Sequence, residues 1–514
     1  MLSCENTRKG DFMLYNSTEN KNEVVSASQA IAQGISKDGG LFVPQELPKY
    51  DTDVLKSFLP LGYKGIAKKV FADFLTDFTA DEIEDCVEKA YTAEKFGSDN
   101  PAPIAYKSYN GNDVNILELW HGPTCAFKDM ALQILPHLLT KSLKKTNDGK
   151  DAVILVATSG DTGKAALEGF KDVEHTKIIV FYPVDGVSPM QKHQMNTQEG
   201  GNVKVCAIEG NFDDAQTGVK KIFTTPEIAS ELEKNNMMFS SANSINWGRL
   251  LPQIVYYIAS YCELVNDGKI SLGDKINVVV PTGNFGNILA SYYACCMGLP
   301  VNKFICASNS NNVLTDFINT GVYDKNRQFY TTISPSMDIL VSSNLERLLY
   351  KLSGDSDTTT KEWMTALKTV GKYEVTDEVK DAVKSAFYGG FCDDVKTKET
   401  IKKMFDEQGY LCDTHTAVAV AVYDKYVSET GDKTPTVIAS TASPYKFSRA
   451  VLEAVNDGRE LPDNEFDMVD LLNDITSADI PKPLSSLKDK KARFSDVVKV
   501  DDMPDYVLGA LGVK

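Results

Sequence analysis

Short apolar runs rich in β-branched residues alternate with longer amphipathic stretches through most of the chain after about residue 114. The runs at 153–157, 177–182, 276–280 and 436–439 are each bounded by Gly, Pro, Ser or Thr, and a further run covers 114–119. Strand-like runs separated by helical patterns are typical of α/β layers with a largely parallel sheet. The pattern therefore predicts an α/β fold.

The first hundred residues have a different pattern. Helical periodicity covers 26–35, 54–58, 66–74 and 80–90, and Asp38-Gly39-Gly40 predicts a turn into an extended segment. No catalytic pattern is found there. At the other end, the charged stretch after about residue 461 predicts peripheral packing or a partly mobile terminus.

Length and charge narrow the class of protein. A chain of 514 residues with 42% apolar content needs two or more domains, because single cores stop growing near ~250–300 residues. The net charge of −17 disfavours nucleic acid and anionic membranes as partners. Neither a signal peptide nor a run of about 18 apolar residues is found, and ten cysteines without C-x-x-C spacing are typical of a reducing compartment. We therefore expect a cytoplasmic enzyme.

Lys128 is the first candidate for a catalytic residue. It lies in the stretch His121-Gly122-Pro123-Thr124-Cys125-Ala126-Phe127-Lys128-Asp129, between the run at 114–119 and a helical pattern. Sites are often built at strand-to-helix junctions, and an amine placed there can form a Schiff base. Because a single lysine near a helix start is most often a solvated surface charge, the prediction depends on the glycine loops that follow.

Two glycine-containing loops predict anion sites. The first, Thr158-Ser159-Gly160-Asp161-Thr162-Gly163-Lys164, precedes a helix predicted to begin near Ala165. The second, Pro281-Thr282-Gly283-Asn284-Phe285-Gly286-Asn287, precedes a helix that Gly298 and Pro300 should stop. Backbone N–H groups at helix N-termini attract anions such as phosphate. A plain helix-capping turn remains the alternative for the first loop.

Several other site classes are disfavoured. Thr158 stands at the first glycine position of a nucleotide P-loop and Ala165 replaces its metal-binding hydroxyl, while Phe285 replaces the middle glycine of the dinucleotide fingerprint. The five histidines lack metal-ligand spacing, and there is no Gly-x-Ser-x-Gly elbow. The second loop therefore suits a compact cofactor phosphate better than NAD, and no metal is expected.

Two further polar segments add candidate ligands. The stretch 240–249 contains Asn243, Ser244 and Arg249, and an arginine fork suits phosphate or carboxylate. An Asn/Ser cap with a surface arginine is the alternative there. The segment Ser440-Thr441-Ala442-Ser443-Pro444 offers a neutral hydroxyl at another strand end.

One reactive lysine, two anion loops and a neutral hydroxyl together suit pyridoxal phosphate, and the chain resembles the threonine synthase family. The resemblance covers most of the chain, including 38–44, 121–129, 158–163, 243–249, 283–287, 334–338, 343–344 and 441–442. It implies the longer branch of the family: a fold-type II pyridoxal-phosphate enzyme with two α/β domains, mainly parallel sheets and an extra N-terminal domain. The implied division is 1–100 for the N-terminal domain, 101–150 with 246–514 for the large cofactor domain and C-terminal tail, and 151–245 for a smaller mobile domain.

The resemblance also implies residue roles. Lys128 would bind the cofactor covalently, Thr441 would face its pyridine nitrogen, and Asp161 would contact it. The cofactor phosphate would be held by Gly283, Asn284, Phe285, Gly286 and Asn287. The substrate would be bound by Thr158, Ser159, Thr162, Asn243, Ser244 and Arg249. The chain departs from the family pattern at Ser443, where His is expected, and at Thr414, where Pro is common.

The implied activity is a carbon–oxygen lyase reaction that converts O-phospho-L-homoserine and water to L-threonine and phosphate. A related phospholyase or dehydratase that releases a keto acid and ammonia is the alternative enzyme. A non-catalytic binding homologue should have lost the lysine, whereas this chain retains Lys128. The implied partner is a small-molecule substrate, and monomer and homodimer both stay open.

Overall fold

The computed structural model describes residues 12–146, 149–158, 160–185 and 187–513. The strands, in chain order, are β1 (Leu14–Ser17), β2 (Asn20–Ser26), β3 (Phe42–Pro44), β4 (Ile104–Tyr109), β5 (Asn112–Glu118), β6 (Asp151–Ala157), β7 (Thr176–Pro183), β8 (Val203–Glu209), β9 (Met237–Ser240), β10 (Ile276–Pro281), β11 (Val301–Ser308), β12 (Val322–Asp324), β13 (Lys372–Glu374), β14 (Phe387–Phe391), β15 (Thr436–Ser440) and β16 (Val497–Lys499).

The helices, in chain order, are α1 (Ala27–Gln33), α2 (Thr52–Phe58), α3 (Gly62–Phe74), α4 (Ala80–Ala90), α5 (Ala93–Phe96), α6 (Asp129–Leu132), α7 (Leu135–Thr146), α8 (Asp161–Phe170), α9 (Pro189–Asn196), α10 (Phe212–Thr224), α11 (Pro226–Lys234), α12 (Trp247–Asn266), α13 (Gly286–Met297), α14 (Val313–Thr320), α15 (Leu345–Leu352), α16 (Asp357–Thr369), α17 (Asp377–Ala386), α18 (Asp394–Gln408), α19 (Thr414–Thr430), α20 (Ser448–Val455), α21 (Glu465–Thr476), α22 (Lys482–Ser485) and α23 (Met503–Leu511). Short 3₁₀ turns cover Pro335–Met337, Pro444–Phe447 and Val500–Asp502.

Two mainly parallel sheets carry the fold. The six-stranded sheet has the order β14-β11-β10-β15-β5-β4, in which only the β4–β5 pair is antiparallel. The five-stranded sheet has the order β16-β8-β7-β6-β9 and is parallel throughout. Because ligands bind beyond the carboxyl ends of strands in such sheets, the loops after β5, β6, β10 and β15 are where a site is expected.

A third, antiparallel sheet of order β2-β1-β3 belongs to the N-terminal part. Tyr15, Phe71 and Phe74 from this part share a continuous buried core with Trp247 of α12. The side chain of Asn246 also donates to the carbonyl of Ile31, at 3.0 Å. The N-terminal part is thus packed directly behind the polar turn at 240–246.

The tail after residue 461 ends in a strand and a helix that pack at the edge of the five-stranded sheet. Strand β16 pairs in parallel with β8 and forms an edge of the five-stranded sheet. Met503 and Val507 of α23 are buried in a core shared with α10. Residues 497–511 therefore pack at the edge of the small sheet, which agrees with the expectation of peripheral packing. The division into domains otherwise stays a prediction.

Candidate active site

Lys128 occupies a rigid loop between β5 and α6. The N–H and hydroxyl of Thr124 both donate to the carboxylate of Asp129, each at 2.8 Å. A Cβ on Gly122 would lie 2.5 Å from the Cβ of Asp129, so only glycine fits this turn. Lys128 itself stands at the N-cap position of α6. The loop therefore fixes the backbone of the candidate lysine at the carboxyl end of a central strand, as the sequence predicts.

The amine of Lys128 is buried beside one carboxylate. Its Nζ lies 3.7 Å from Oδ2 of Asp161 and 3.4 Å from Oγ of Ser336. Burial lowers the pKa of Lys128, Asp161 opposes that effect, and the cations Lys446 and Arg249 add to it. An amine with a lowered pKa is more often unprotonated and therefore nucleophilic, which is the state that a Schiff-base lysine needs.

Asp161 is the common partner of the groups around Lys128. Its Oδ1 accepts from Nζ of Lys446 at 2.6 Å and from Nε2 of Gln191 at 3.0 Å, and its Oδ2 accepts from Oγ of Ser336 at 3.3 Å. Burial would raise the pKa of this carboxyl, but the ammonium groups of Lys446 and Lys128 outweigh burial and hold the pKa well below its usual range. Asp161 is therefore ionised in the folded protein.

The first glycine loop is held together by the side chain of Thr158. Oγ1 of Thr158 accepts from the N–H groups of Gly160 and Gly163, both at 2.9 Å. That hydroxyl satisfies two amides that would otherwise face an external anion, and both interpretations of the loop stay open. Helix α8 begins at Asp161, and the predicted start near Ala165 is wrong. Thr162 is half-buried, Ser159 lies outside the described residues, and the substrate contacts of this loop stay predictions.

The second glycine loop has the geometry of an anion site. The carbonyls of Gly283 and Asn284 accept from Oγ of Ser342 at 2.7 Å and from the N–H of Asn344 at 3.0 Å. With those carbonyls engaged, the first N–H groups of the twelve-residue helix α13 remain for a ligand. Phe285 adopts a left-handed conformation with φ 61°, which makes the turn into that helix.

Asn287 shows that this loop fits a phosphate group. Its Oδ1 accepts from the hydroxyl of Tyr257, whereas its Nδ2 is buried without a hydrogen-bond partner in the described chain. A buried donor left unpaired costs about 1–3 kcal/mol, so such an atom indicates a missing acceptor. The five residues 283–287 therefore fit a bound phosphate, and their assignment to the cofactor stays a prediction.

Arg249 is a second unsatisfied donor. Its side chain is 3% exposed, and Nη1 donates to the carbonyl of Ala242 at 2.7 Å, but Nε has no partner among the residues described. Burial lowers the pKa of this guanidinium to about 10. A buried cation without a carboxylate is unfavourable unless an anion binds it. Of its predicted companions, Ser244 is half-buried and Asn243 is exposed.

Asn344 connects the two candidate anion sites. Its Nδ2 donates to the carbonyl of Ser244 at 3.2 Å and to that of Asn284 at 3.1 Å. Its Oδ1 accepts from Nη1 of the fully buried Arg347, whose Nη2 donates to the carbonyl of Ile245 at 2.6 Å. The turn that precedes Arg249 and the loop that precedes α13 are therefore held at a fixed separation.

Thr441 lies next to the lysine loop. Its carbonyl accepts the N–H of Phe127 at 2.8 Å, and the adjacent residues Ala126 and Ala442 form an isolated antiparallel bridge. Ser443, at the departure from the family pattern, caps the 3₁₀ turn that follows, by accepting the N–H of Tyr445. The structure thus brings Thr441 to Lys128, and its contact with the pyridine nitrogen stays a prediction.

Sequence reasoning missed several residues of the site. No sequence pattern marks Lys446 or Gln191, and Ser336 lies only within 334–338, one of the segments that carry the family resemblance. His415 is one of the five histidines without metal-ligand spacing, yet its Nε2 accepts the N–H of Ser336 at 3.2 Å. Its Nδ1 lies 2.9 Å from Oδ1 of Asp413, which indicates the Nδ1–H tautomer. The Asp413-Thr414-His415 spacing was the one available signal for this pair.

The described residues contain neither a cluster of metal ligands nor a membrane-spanning helix. No group of three or more His, Cys, Asp or Glu side chains there is arranged to hold a metal ion. Among the helices of the same residues, none has the length and apolar character needed to cross a membrane.

Three family comparisons cover almost all of the described chain. The family described as "Threonine synthase N terminus" matches residues 14–91, "Pyridoxal-phosphate dependent enzyme" matches residues 100–441, and "Threonine synthase, C-terminal" matches residues 416–507. The chain belongs to the threonine synthase family. It is thereby a member of the pyridoxal-phosphate-dependent enzymes, and the cofactor predicted from the sequence is confirmed.

Individual relatives agree with membership of the threonine synthase family. Threonine synthase of Saccharomyces cerevisiae is 35% identical over 513 residues, which cover 95% of this chain and 96% of the yeast protein. Human threonine synthase-like 1 is 40% identical over 438 residues, or 83% of this chain, and the match spans only 58% of that longer protein.

A solved structure confirms the fold class. The crystal structure of pyridoxal-phosphate-bound threonine synthase from Brucella melitensis superposes with a TM-score of 0.83 at 34% identity, covering 97% of this chain and 99% of that one. The predicted fold-type II architecture with mainly parallel sheets is therefore correct.

Proposed function

We propose that this protein is a pyridoxal-phosphate-dependent carbon–oxygen lyase that converts O-phospho-L-homoserine and water to L-threonine and phosphate. The observation that carries the proposal is the unpaired Nε of Arg249. The loop at 283–287 would hold the phosphate of the cofactor, and Arg249 is a buried cation with an unpaired donor and no carboxylate partner among the described residues, which suits a second anion. A substrate that carries its own phosphate supplies it.

The chain's own side chains have separate tasks in this proposal. Bound pyridoxal phosphate supplies an electron sink for bonds at the substrate's Cα and Cβ. Lys128, held with a lowered pKa, takes and returns protons at those carbons. The neutral hydroxyl of Thr441 would lie at the pyridine nitrogen without enforcing its protonation, which would moderate the sink. Arg249, with Asn243 and Ser244, binds the phosphate and stabilises its charge as it leaves.

The fixed separation of the two anion sites supports a substrate of defined length. Asn344 and Arg347 hold the turn at 244–245 against the loop at 283–287, so the substrate phosphate and the cofactor phosphate occupy separate positions. The segment from about residue 151 to residue 242 would close over the bound substrate and exclude bulk water, so that one directed water reaches Cβ. The cytosol is the proposed location, because the nine described cysteines are all unpaired.

Product analysis tests the proposal. Protein reconstituted with pyridoxal phosphate should form threonine and inorganic phosphate from O-phospho-L-homoserine, with little 2-oxobutanoate or ammonia, and should turn over homoserine poorly. Lys128→Ala is the matched inactive control. Predominant 2-oxobutanoate and ammonia would establish the alternative lyase instead. Equal rates with homoserine would contradict the role given to the second anion site.

A further inference from the structure

Two buried lysines share a single carboxylate. Lys446 and Lys128 both contact Asp161, but the contacts differ in length: Lys446 Nζ lies 2.6 Å from Oδ1, and Lys128 Nζ lies 3.7 Å from Oδ2. The side chain of Lys446 is completely buried, and its Nζ also donates to the carbonyl of Thr124 at 3.0 Å. The closer ion pair therefore belongs to Lys446, and Lys128 has the longer one.

The position of Lys446 is fixed by the loop that carries Lys128. The N–H of Ser443 donates to the carbonyl of Cys125 at 3.0 Å, and the bridge between Ala126 and Ala442 joins the same two segments. Ser443 then caps the 3₁₀ turn Pro444–Phe447 on which Lys446 lies. The two amines are thus held on connected backbone segments and cannot separate independently.

We infer that Lys446 is a positioning residue that keeps Asp161 ionised and engaged, so that Lys128 retains a free amine when it is not bound to the cofactor. The inference deepens the proposed function, because it depends on Lys128 being the cofactor lysine and not on which substrate is converted. If Asp161 paired with Lys128 alone, its negative charge would stabilise the protonated amine. Lys128 could then no longer act as a base. With Lys446 present, most of that attraction is already satisfied.

The charged groups around Lys128 agree with this assignment. Asp161 raises the pKa of Lys128, whereas burial, Lys446 and Arg249 lower it. Ser336 contributes only a neutral hydroxyl, which links Asp161 and Lys128. Lys446 thus acts in two ways with the same sign: its charge repels a proton on Lys128, and it occupies the carboxylate that would attract one.

The test measures the proton affinity of Lys128 directly. Full-length protein stripped of cofactor is treated with acetic anhydride between pH 6 and 10, and the acetylation of Lys128 is followed by mass spectrometry against the exposed Lys37 in the same sample. Lys446→Met should raise the pH midpoint of Lys128 labelling by at least about one unit. At a pH below the midpoints of both wild type and variant, such a rise makes labelling about tenfold slower. An unchanged midpoint would overturn the inference.

Further variants separate positioning from loss of structure. Lys164→Met removes another buried lysine, which pairs with Glu168 and not with Asp161, and it should leave the midpoint in place. In an Asp161→Asn background, Lys446→Met should shift the midpoint by less than half as much, because the carboxylate is absent. An equal shift in both backgrounds would mean that Lys446 does not act through Asp161 and would overturn the inference.

A second uncharged variant, Lys446→Gln, is tested in case Lys446→Met does not fold. Lys446→Gln keeps an N–H donor near Asp161 while removing the charge, and it must also shift the midpoint upward. None of these measurements uses O-phospho-L-homoserine, so a failed threonine assay leaves the result standing. Borohydride reduction of the reconstituted protein shows separately whether Lys128 carries the cofactor.

Discussion

Replacing Arg249 with methionine should separate stability from substrate handling. The guanidinium is buried, has an unpaired Nε, and has its pKa lowered to about 10 by burial. A fall of that size corresponds to about 3 kcal/mol of unfavourable free energy for the cation in the ligand-free fold. Methionine removes that cost and leaves the Ala242 carbonyl without its donor, which costs about 1–3 kcal/mol. The cofactor-loaded variant should therefore unfold at a temperature close to that of the wild type.

Catalysis should respond very differently. A hydrogen bond to a charged group contributes about 1.5–3 kcal/mol, and about 1.4 kcal/mol is a factor of ten. Arg249→Met should thus lower kcat/KM for O-phospho-L-homoserine by about 10- to 150-fold, with cofactor content unchanged. Inorganic phosphate should raise the unfolding temperature of the loaded wild type and not that of the variant, since only a bound anion stabilises the fold.

Arg347 provides the matched control for this experiment. It is also buried and its pKa is also lowered to about 10, but its Nε, Nη1 and Nη2 donate to the Phe42 carbonyl, Asn344 Oδ1 and the Ile245 carbonyl. Arg347→Met leaves these acceptors unsatisfied at about 1–3 kcal/mol each, so it should unfold at a clearly lower temperature. If Arg249→Met unfolded at an equally low temperature, and if phosphate still raised that temperature, Arg249 would be a structural residue and the reasoning would be refuted.

Three further predictions concern the cofactor site and its charge. Borohydride reduction should link the cofactor to the peptide containing Lys128, and in Lys128→Ala to no peptide; an adduct on another lysine would contradict the assignment. Gly283→Ala places a Cβ 2.7 Å from the Ser336 carbonyl oxygen and should weaken pyridoxal phosphate binding at least about tenfold in a fluorescence titration. Gly286→Ala is the control and should weaken binding less, because the nearest atom to its Cβ is 3.4 Å away. At pH 7, Asp161→Asn should be less stable to urea than the wild type. The difference in stability should shrink as the pH falls below about 4. A carboxyl whose pKa is lowered in the folded state contributes stability that is lost on acidification. A difference that stays constant with pH would show that Asp161 is not ionised.

The buried strands were the easiest elements to predict. The runs at 153–157 and 276–280 became β6 and β10 with boundaries within two residues, because strands covered on both faces consist of nearly continuous apolar residues. Helix α4 matches its predicted range, since Thr79 and Glu82 form a capping box at its start. Where one local rule decides the structure, sequence reasoning was sufficient.

The start of α8 could not be predicted from local rules. Asp161, Thr162 and Gly163 resemble loop residues, yet all three are helical. Gly163 is required because a Cβ there would lie 2.4 Å from Cγ2 of Thr158, whose hydroxyl accepts the N–H of Gly163. This glycine is therefore needed for a close contact and not to end a helix. Only the folded geometry distinguishes these two roles of glycine.

The site was predicted where residues are adjacent in sequence and missed where they meet only in space. Lys128 and Arg249 were candidates from their local motifs, the roles of Asp161 and Thr441 came from the family resemblance, and all four roles stay predictions. Lys446 lies five residues beyond Thr441, in a turn that carries no recognisable pattern, and its importance depends on a carboxylate 285 positions earlier in the chain. Its complete burial and its partner both arise from tertiary packing, which composition and periodicity do not encode.

The pairing of β16 with β8 has a consequence for the order of folding. The two strands are separated by roughly 290 residues, so β16 leaves the ribosome long after the other strands of its sheet. During that interval β8 presents an unpaired edge, and the apolar face of α10 lacks Met503 and Val507. Pairing this distant in sequence is slow, and an open edge is prone to association with other chains. The time between synthesis of β8 and arrival of β16 is therefore the period in which this chain most needs a chaperone.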